Sequence, residues 1–274
     1  MAGRAWDIVG WMADCSSIAV QVVNYRTRRY LERCVDTVVS DLEGSSIPFE
    51  INLLDNASGE DLEDLAARVP NCRAFTSATN LGFGGGHNLL AGKTEAKYLL
   101  ILNPDIEFVF PDTVRRLLLL VAGAGLVKAA GPKLLTDAGQ AQPYDHGRLH
   151  GLRAEIALRG GHSYWRQTST RQEVAWVSGA AMLVERAEFV AIGGFDEKLF
   201  LYKEDEDLCL RLRAAGGQVV YEPAAVIRHH GSVVADTPQE IAVAVEYYVA
   251  KHFEGQRLRR AFAAVHQSLA YVRL

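Results

Sequence analysis

Glu204, Asp205, Glu206 and Asp207 stand in a row at the start of a predicted helix, just after an apolar stretch that includes Phe195, Leu199, Phe200, Leu201 and Tyr202. Carboxylates delivered by an apolar loop sit more readily in a cleft than on an open face. One carboxylate so placed can take a proton from a substrate hydroxyl as a general base. A purely structural reading competes: acids in a first helical turn suit the helix dipole and cap its free N–H groups.

Other polar residues gather where apolar runs end. Asn24-Tyr25 follows the run Ile18–Asn24, Asp55-Asn56 follows Phe49–Leu54, Asn103-Pro104-Asp105 follows Tyr98–Leu102, and His229-His230 follows Ala225–Arg228. A single strand-end Asp is usually a turn residue or a helix cap. Four such ends in one sheet point to a ligand site, because open parallel sheets bind ligands beyond the carboxyl ends of their strands. Asn80-Leu81-Gly82-Phe83-Gly84-Gly85-Gly86-His87-Asn88 reads as a glycine-rich turn entering a helix, a shape that can bring backbone N–H groups to a phosphate. It is neither a dinucleotide fingerprint, since His87 stands where the third glycine would be, nor a P-loop, which needs Gly-Lys-Ser/Thr.

The elements that must position these residues alternate. Strands are expected at Ile18–Asn24, Phe49–Leu54, Arg73–Thr76, Tyr98–Leu102 and Leu126–Pro132, and helices at Tyr30–Leu42, Asp61–Arg68, Gly86–Ala96 and Pro111–Gly123. Residues 136–172 read as a long loop with one short helix at Leu152–Leu158. Two strand-like pieces follow within Glu173–Val184, then helices at Arg186–Ile192 and Asp205–Ala215, short strands at Gln218–Glu222 and Ala225–Arg228, and a helix at Pro238–Phe253. The alternation predicts an α/β fold with a mostly parallel sheet covered by helices on both faces. The expected division is an N-terminal extension (1–15), one α/β domain (16–237) and a C-terminal helical segment (238–274).

The 274 residues are 49% hydrophobic and 23% charged, ordinary for a globular protein, and the net charge of −4 gives no footprint for nucleic acid. The four cysteines (15, 34, 72 and 209) have no metal-knuckle spacing and read as reduced cytosolic thiols. No secretory signal is expected, and the longest apolar run, Leu117 to Leu126, is about half a membrane span. The expected location is cytoplasmic, including the inner face of the membrane.

The ordered set of motifs resembles the family 2 glycosyltransferases of GT-A fold, in the bacterial branch of rhamnosyltransferases and galactofuranosyltransferases. The likeness runs from about Ile18 to Ser232. It is carried by Val23-Asn24-Tyr25, Asp55-Asn56-Ala57-Ser58, Asn80-Leu81-Gly82-Phe83 with Asn88, Leu102-Asn103-Pro104-Asp105, Trp176-Val177-Ser178-Gly179-Ala180, Gly194-Phe195-Asp196-Glu197, Glu204-Asp205-Glu206-Asp207 and His229-His230-Gly231-Ser232. Each motif alone is weak; the ordered set is specific.

The resemblance implies an inverting transfer from a nucleotide-diphosphate sugar to a saccharide or polyprenyl-linked acceptor, with Mn²⁺ or Mg²⁺ as cofactor. Asp205 matches the general base. Asp55 matches the acid that binds the nucleotide, with Val23, Asn24, Tyr25 and Asn56 beside it, and Asn80, Gly82, Phe83 and Asn88 match the loop along nucleotide and sugar. Asp105 matches the last acid of the metal motif; Asn103 replaces the earlier Asp that many members carry. His229 matches the distal metal ligand, with His230 as the competing candidate, and a nitrogen ligand favours Mn²⁺. Trp176, Ser178, Gly179 and Glu204 match the acceptor side, although a core position for Trp176 stays open. The donor implied is dTDP-rhamnose, with UDP- and GDP-sugars as alternatives.

The basic, amphipathic tail (246–274) fits either an anionic membrane surface or packing against the domain or a second copy in a homodimer. Two other classes fit less well. A nucleotidyltransferase would carry a Gly-rich, basic triphosphate loop after the first strand, where Asn24-Tyr25-Arg26-Thr27 stands. A decayed sugar-binding protein would not keep Asp55, Asp105, Asp205 and His229 together.

Overall fold

The computed structural model describes residues 17–252 apart from 124, 149–164 and 232–237. The N-terminal extension, the expected helix at 152–158, Ser232, Cys15 and the tail beyond His252 lie outside the described residues. β1 (Ile18–Asn24) is buried along its whole length, as a central parallel strand covered on both faces must be. α1 (Arg28–Glu43) follows and buries Leu31, Cys34, Val35, Val38 and Leu42, one apolar stripe at helical spacing.

β2 (Phe49–Asp55), α2 (Glu63–Arg68), β3 (Cys72–Thr76), α3 (Gly82–Ala91) and β4 (Tyr98–Leu102) continue the alternation. β5 (Ile106–Phe108) leads to α4 (Thr113–Gly123). The buried Asp41 of α1 accepts the first N–H groups of α4, from Thr113 at 3.0 Å and Val114 at 2.9 Å. Next come β6 (Val127–Leu135), β7 (His146–Gly147), β8 (Gln172–Val174), β9 (Trp176–Val177) and β10 (Ala181–Glu185). α5 (Arg186–Ala191), α6 (Glu204–Ala214), β11 (Gln218–His229) and α7 (Pro238–His252) complete the order.

Among the described residues, nine strands form one sheet in the order β3-β2-β1-β4-β10-β6-β11-β5, with β8 also on β11. β1, β2, β3, β4, β6 and β11 run one way, and β10, β5 and β8 run against them. This is the mostly parallel α/β sheet expected.

Three local expectations are corrected. α3 begins at Gly82 rather than Gly86 and ends at Ala91, so the glycines lie inside the helix instead of in a turn before it. They let the helix approach its neighbours: a Cβ on Gly86 would stand 2.8 Å from Val23, and one on Gly84 would stand 2.7 Å from Phe195. The two short strands expected at 218–228 are one strand, with Pro223 at an irregularity between Glu222 and Val226 where a missing N–H costs little. The stretch 173–184 holds three strands, of which β10 reverses direction to lie between β4 and β6.

Candidate active site

The carboxyl ends of the parallel strands collect the site. Asn24 and Asp55 end β1 and β2 and face each other in register. Asn24 is fully buried; its Oδ1 accepts from Thr27 Oγ1 at 2.8 Å, and its Nδ2 donates to Glu60 at 2.8 Å. Asp55 accepts from the Ser58 hydroxyl and, at 3.0 Å, from the Gly59 N–H, so its own loop wraps the carboxylate. Asn56 Nδ2 donates to Asn80 Oδ1 at 2.9 Å and to the Gly82 carbonyl at 3.1 Å, while its Oδ1 accepts from Leu81 N at 2.9 Å. One buried carboxamide thereby fixes the loop entering α3. Val23 packs on Gly86, and Tyr25 lies half-buried beneath the Arg26 guanidinium, 5.0 Å from its ring centroid.

Gly82 has a φ of +72°, and a Cβ there would collide with the Phe200 carbonyl at 2.4 Å. That carbonyl instead accepts the Phe83 N–H at 3.0 Å. Asn88 points the other way: it donates to the Phe195 carbonyl and accepts the Phe195 N–H, both at 2.9 Å. It clamps the loop that precedes the acids, a role its sequence position did not suggest.

α6 begins at Glu204 after Tyr202 and Lys203, two consecutive non-glycine residues in the left-handed region. Such backbone costs free energy and persists where surrounding contacts enforce it. Asp205 Oδ2 accepts the Gly179 N–H at 3.0 Å, and Oδ1 accepts the Glu206 N–H at 2.7 Å. Burial pushes the Asp205 carboxyl up from the usual range, and the N–H groups of Gly179 and Glu206 offset part of that. Glu204 is 6% exposed, and its Oε2 has no hydrogen-bond partner among the described residues. Burial first, and the neighbouring Asp205 second, raise it well above the ordinary carboxylate range. Asp207 is instead held down to about 2 against its burial by His252, Lys251 and Arg211.

Gly179 is where the parts meet. A Cβ there would sit 3.1 Å from the Phe83 ring and 3.4 Å from Asp205 Cβ, so α3 and α6 both reach one glycine. The next residue, Ala180, gives its carbonyl to Asn103 N at 2.9 Å, tying the end of β4 to the same turn. Ser178 N donates to the Asp145 carbonyl at 3.0 Å. Trp176, expected on the acceptor wall with a core position as its alternative, takes the core position. It is 3% exposed and leaves no room for a Cβ on Gly147.

Asp105 and His229 come together at the ends of β4 and β11, with Asp105 Oδ1 3.4 Å from His229 Nε2. His229 Nδ1 is paired with Gln142 Oε1 at 3.0 Å, and Nε2 faces Asp105 and Asn103 Nδ2, the latter at 3.2 Å. A carboxylate oxygen and an imidazole nitrogen facing each other fit a divalent cation, and Gln142 orients the ring as an outer partner of a metal-bound histidine would. Burial opposes the charge on Asp105, but His229 and the Gly231 N–H outweigh it and hold the carboxyl below the usual range. His230 turns away to Glu107 at 3.2 Å and Asp137 at 2.6 Å. No group of three or more His, Cys, Asp or Glu able to hold a metal occurs among the described residues. A divalent ion on Asp105 and His229 would leave coordination positions open to water or to the oxygens of a bound diphosphate. Gln142 and the partners of Asp207 on α7 were not singled out from sequence; they lie far along the chain from the residues they hold.

Residues 16–250 match a family model described as glycosyltransferase like family 2. The N-acetylglucosaminyl-diphospho-decaprenol L-rhamnosyltransferase of Mycobacterium tuberculosis is 30% identical over 242 residues, covering 78% of this chain and 76% of that protein. Among solved structures, GalNAc-T7 with UDP, GalNAc and Mn²⁺ has a TM-score of 0.67 at 13% identity; the match covers 96% of this chain and 52% of that one, about half its length. A mannosyltransferase from Pyrobaculum calidifontis, PcManGT with GDP-Man and Mn²⁺, has a TM-score of 0.55 at 14% identity, covering 93% of this chain and 81% of the other.

Proposed function

Since this chain belongs to glycosyltransferase family 2 and is a glycosyltransferase of GT-A fold, we propose that it moves a rhamnosyl group from dTDP-rhamnose, with inversion, to a lipid-linked saccharide in polysaccharide assembly. The observation that carries the reading is the meeting at Gly179 of Phe83 from α3 and Asp205 from α6, next to the turn that ties down Asn103. The mycobacterial relative, named for rhamnosyl transfer to a diphospho-decaprenol carrier, supports the choice of sugar and acceptor class.

Asp205 is the general base. Its carboxylate takes the proton of the acceptor hydroxyl while that oxygen bonds to the anomeric carbon and the bond from that carbon to the diphosphate breaks. The charge leaves with the nucleoside diphosphate. Asp55, Asn24 and Asn56 shape the nucleotide end, and Asn80, Gly82 and Phe83 border the diphosphate and sugar. Glu204 meets the acceptor hydroxyls. Asp105 and His229 would hold a divalent ion, Mn²⁺ or Mg²⁺, which would offset the charge on the leaving diphosphate. No helix among the described residues is long and apolar enough to cross a membrane. Contact with the inner face of the membrane, through the tail beyond α7, belongs to the same proposal.

Thermal unfolding in the presence of dTDP, UDP and GDP, each with and without Mn²⁺, tests this reading. A ligand at a hundred times its Kd stabilises the fold by about 2.7 kcal/mol. The expected result is a Mn²⁺-dependent rise in Tm that is largest for dTDP. A larger rise with UDP or GDP would replace the donor, and no rise with any of them would sink the reading.

A further inference from the structure

Helix α7 closes over the back of the acidic helix, and one side chain touches both ends of the segment that carries Asp205. Lys251 Nζ lies 2.6 Å from Asp196 Oδ2 and 2.7 Å from Asp207 Oδ1. Asp196 opens this segment and Asp207 closes it. The same two acids hold other groups. The Tyr247 hydroxyl donates to Asp196 at 2.9 Å, His252 Nε2 lies 2.7 Å from Asp207 Oδ1, and Arg211 Nε donates to Asp207 Oδ2 at 2.8 Å. Between the two ends, Leu199 is buried against Ala244 and Tyr248 of α7. The Lys203 ammonium stands 5.7 Å from the Tyr248 ring centroid.

The segment so gripped contains Tyr202 and Lys203, the left-handed pair that turns the chain into α6. Left-handed backbone at two adjacent bulky residues relaxes unless contacts on both sides hold it. The front side is held by the Phe200 carbonyl on Phe83 and by Gly179 on Asp205. The rear side is held by α7, where Tyr247 reaches Asp196, His252 reaches Asp207, and Lys251 is the one side chain among the described contacts that reaches both.

We propose that Lys251 is a positioning residue for Asp205: its ammonium joins Asp196 to Asp207 and keeps the left-handed turn and the first turn of α6 in the geometry that aims the carboxylate. The inference rests on the reading of Asp205 as the base. It adds a part of the machinery that is distant in sequence and touches no substrate.

The test compares the full chain with Lys251→Met, Lys251→Arg and Asp205→Asn. Two quantities are measured: hydrogen exchange of backbone amides along 199–207, and the rate of rhamnosyl transfer from dTDP-rhamnose to an N-acetylglucosaminyl-diphospho-lipid. In Lys251→Met, exchange should rise severalfold at 199–207 and stay unchanged in β1 to β4. Its kcat should fall roughly 10- to 100-fold, the scale of a misplaced catalytic group, with the KM for dTDP-rhamnose unchanged. Lys251→Arg keeps charge and reach and should restore both quantities. Unchanged exchange at 199–207 in Lys251→Met, or exchange that rises through the whole sheet, overturns the proposal. An active Asp205→Asn would refute the base assignment separately, because the exchange result does not depend on it.

Discussion

Gly179 donates its backbone N–H to Asp205 Oδ2 at 3.0 Å, so the turn between β9 and β10 grips the carboxylate that opens α6. The other oxygen is held by Glu206 N at 2.7 Å. Each oxygen keeps a lone pair for an incoming hydroxyl. Asp205→Asn preserves an oxygen for the Gly179 N–H but removes the ability to accept a proton. It should lower kcat by about 100- to 10,000-fold, the usual worth of a general base, while leaving the dTDP-induced rise in Tm intact. Transfer near the wild-type rate would show that another group takes the proton.

The same burial fixes the pH dependence. A base must be ionised, and burial raises Asp205 above the ordinary aspartate value of 3.8. The acid limb of a kcat profile should therefore lie above that value, with the rate rising as pH increases and then levelling. A limb at or below it would mean that the N–H groups of Gly179 and Glu206 outweigh desolvation.

At the strand ends, Asp105→Asn and His229→Ala should each remove the Mn²⁺-dependent part of nucleotide stabilisation. His230→Ala should leave it in place, because His230 is already paired with Glu107 and Asp137. Thermal shifts with dTDP, with and without Mn²⁺, decide it. Loss of the effect in His230→Ala with retention in His229→Ala would exchange the two roles.

Gly86→Ala should destabilise the fold by about 1–3 kcal/mol, the cost of overpacking. Its Cβ would press on both methyls of Val23, at 2.8 and 2.9 Å. Gly44→Ala is the control: nothing lies within 4 Å of its Cβ, so the substitution should be neutral or stabilising. Urea unfolding of both variants measures the difference, and equal midpoints would remove the packing argument.

His87 makes the fold acid-labile. Burial lowers its pKa from 6.5 to about 3, so the folded state holds it neutral while the unfolded chain protonates it. Below about pH 6.5 unfolding then takes up a proton at His87, a contribution that lowers stability by about 1.4 kcal/mol per pH unit until the folded group titrates, while the raised Glu204 carboxyl, protonated first in the folded state, works in the opposite direction. Asp207, with its folded pKa near 2, adds a loss of its own only below about pH 4. Urea unfolding between pH 7 and 5 should show the wild type losing more stability than His87→Leu as pH falls, by about 1.4 kcal/mol per pH unit below about pH 6.5. Parallel slopes would mean that His87 is solvated in the folded state.

The parts of the site that were legible in sequence are those where one residue type has one physical meaning. The apolar run of β1 could only be a buried strand, and the polar residues closing β1, β2, β4 and β11 do gather at one edge of the sheet. The glycines of α3 were misread because glycine serves turns and close packing alike. Only the positions of Val23 and Phe195 tell which role applies. The strand at 218–229 reads locally as two short pieces, and the register irregularity between Glu222 and Val226 that lets it run on as one depends on its pairing with β6. Trp176 offered a flat ring to either core or solvent, and the approach of Gly147 decided for the core. The contacts of Lys251 with Asp196 and Asp207 follow from the path of α7 over the domain, which no local pattern encodes.

The reversed strand β10 sets an order of assembly. β1, β2, β3 and β4 can pair as they emerge, each joined by a short helical crossover. The other edge of β4 finds its partner only when Leu102 meets Ala181 and Tyr98 meets Glu185. During synthesis the first half of the sheet therefore waits with the apolar strand Tyr98–Leu102 uncovered on one side. Such an edge is a template for pairing with another chain. Slow translation before residue 185, or crowding of nascent chains, should thus favour β4-to-β4 association between copies.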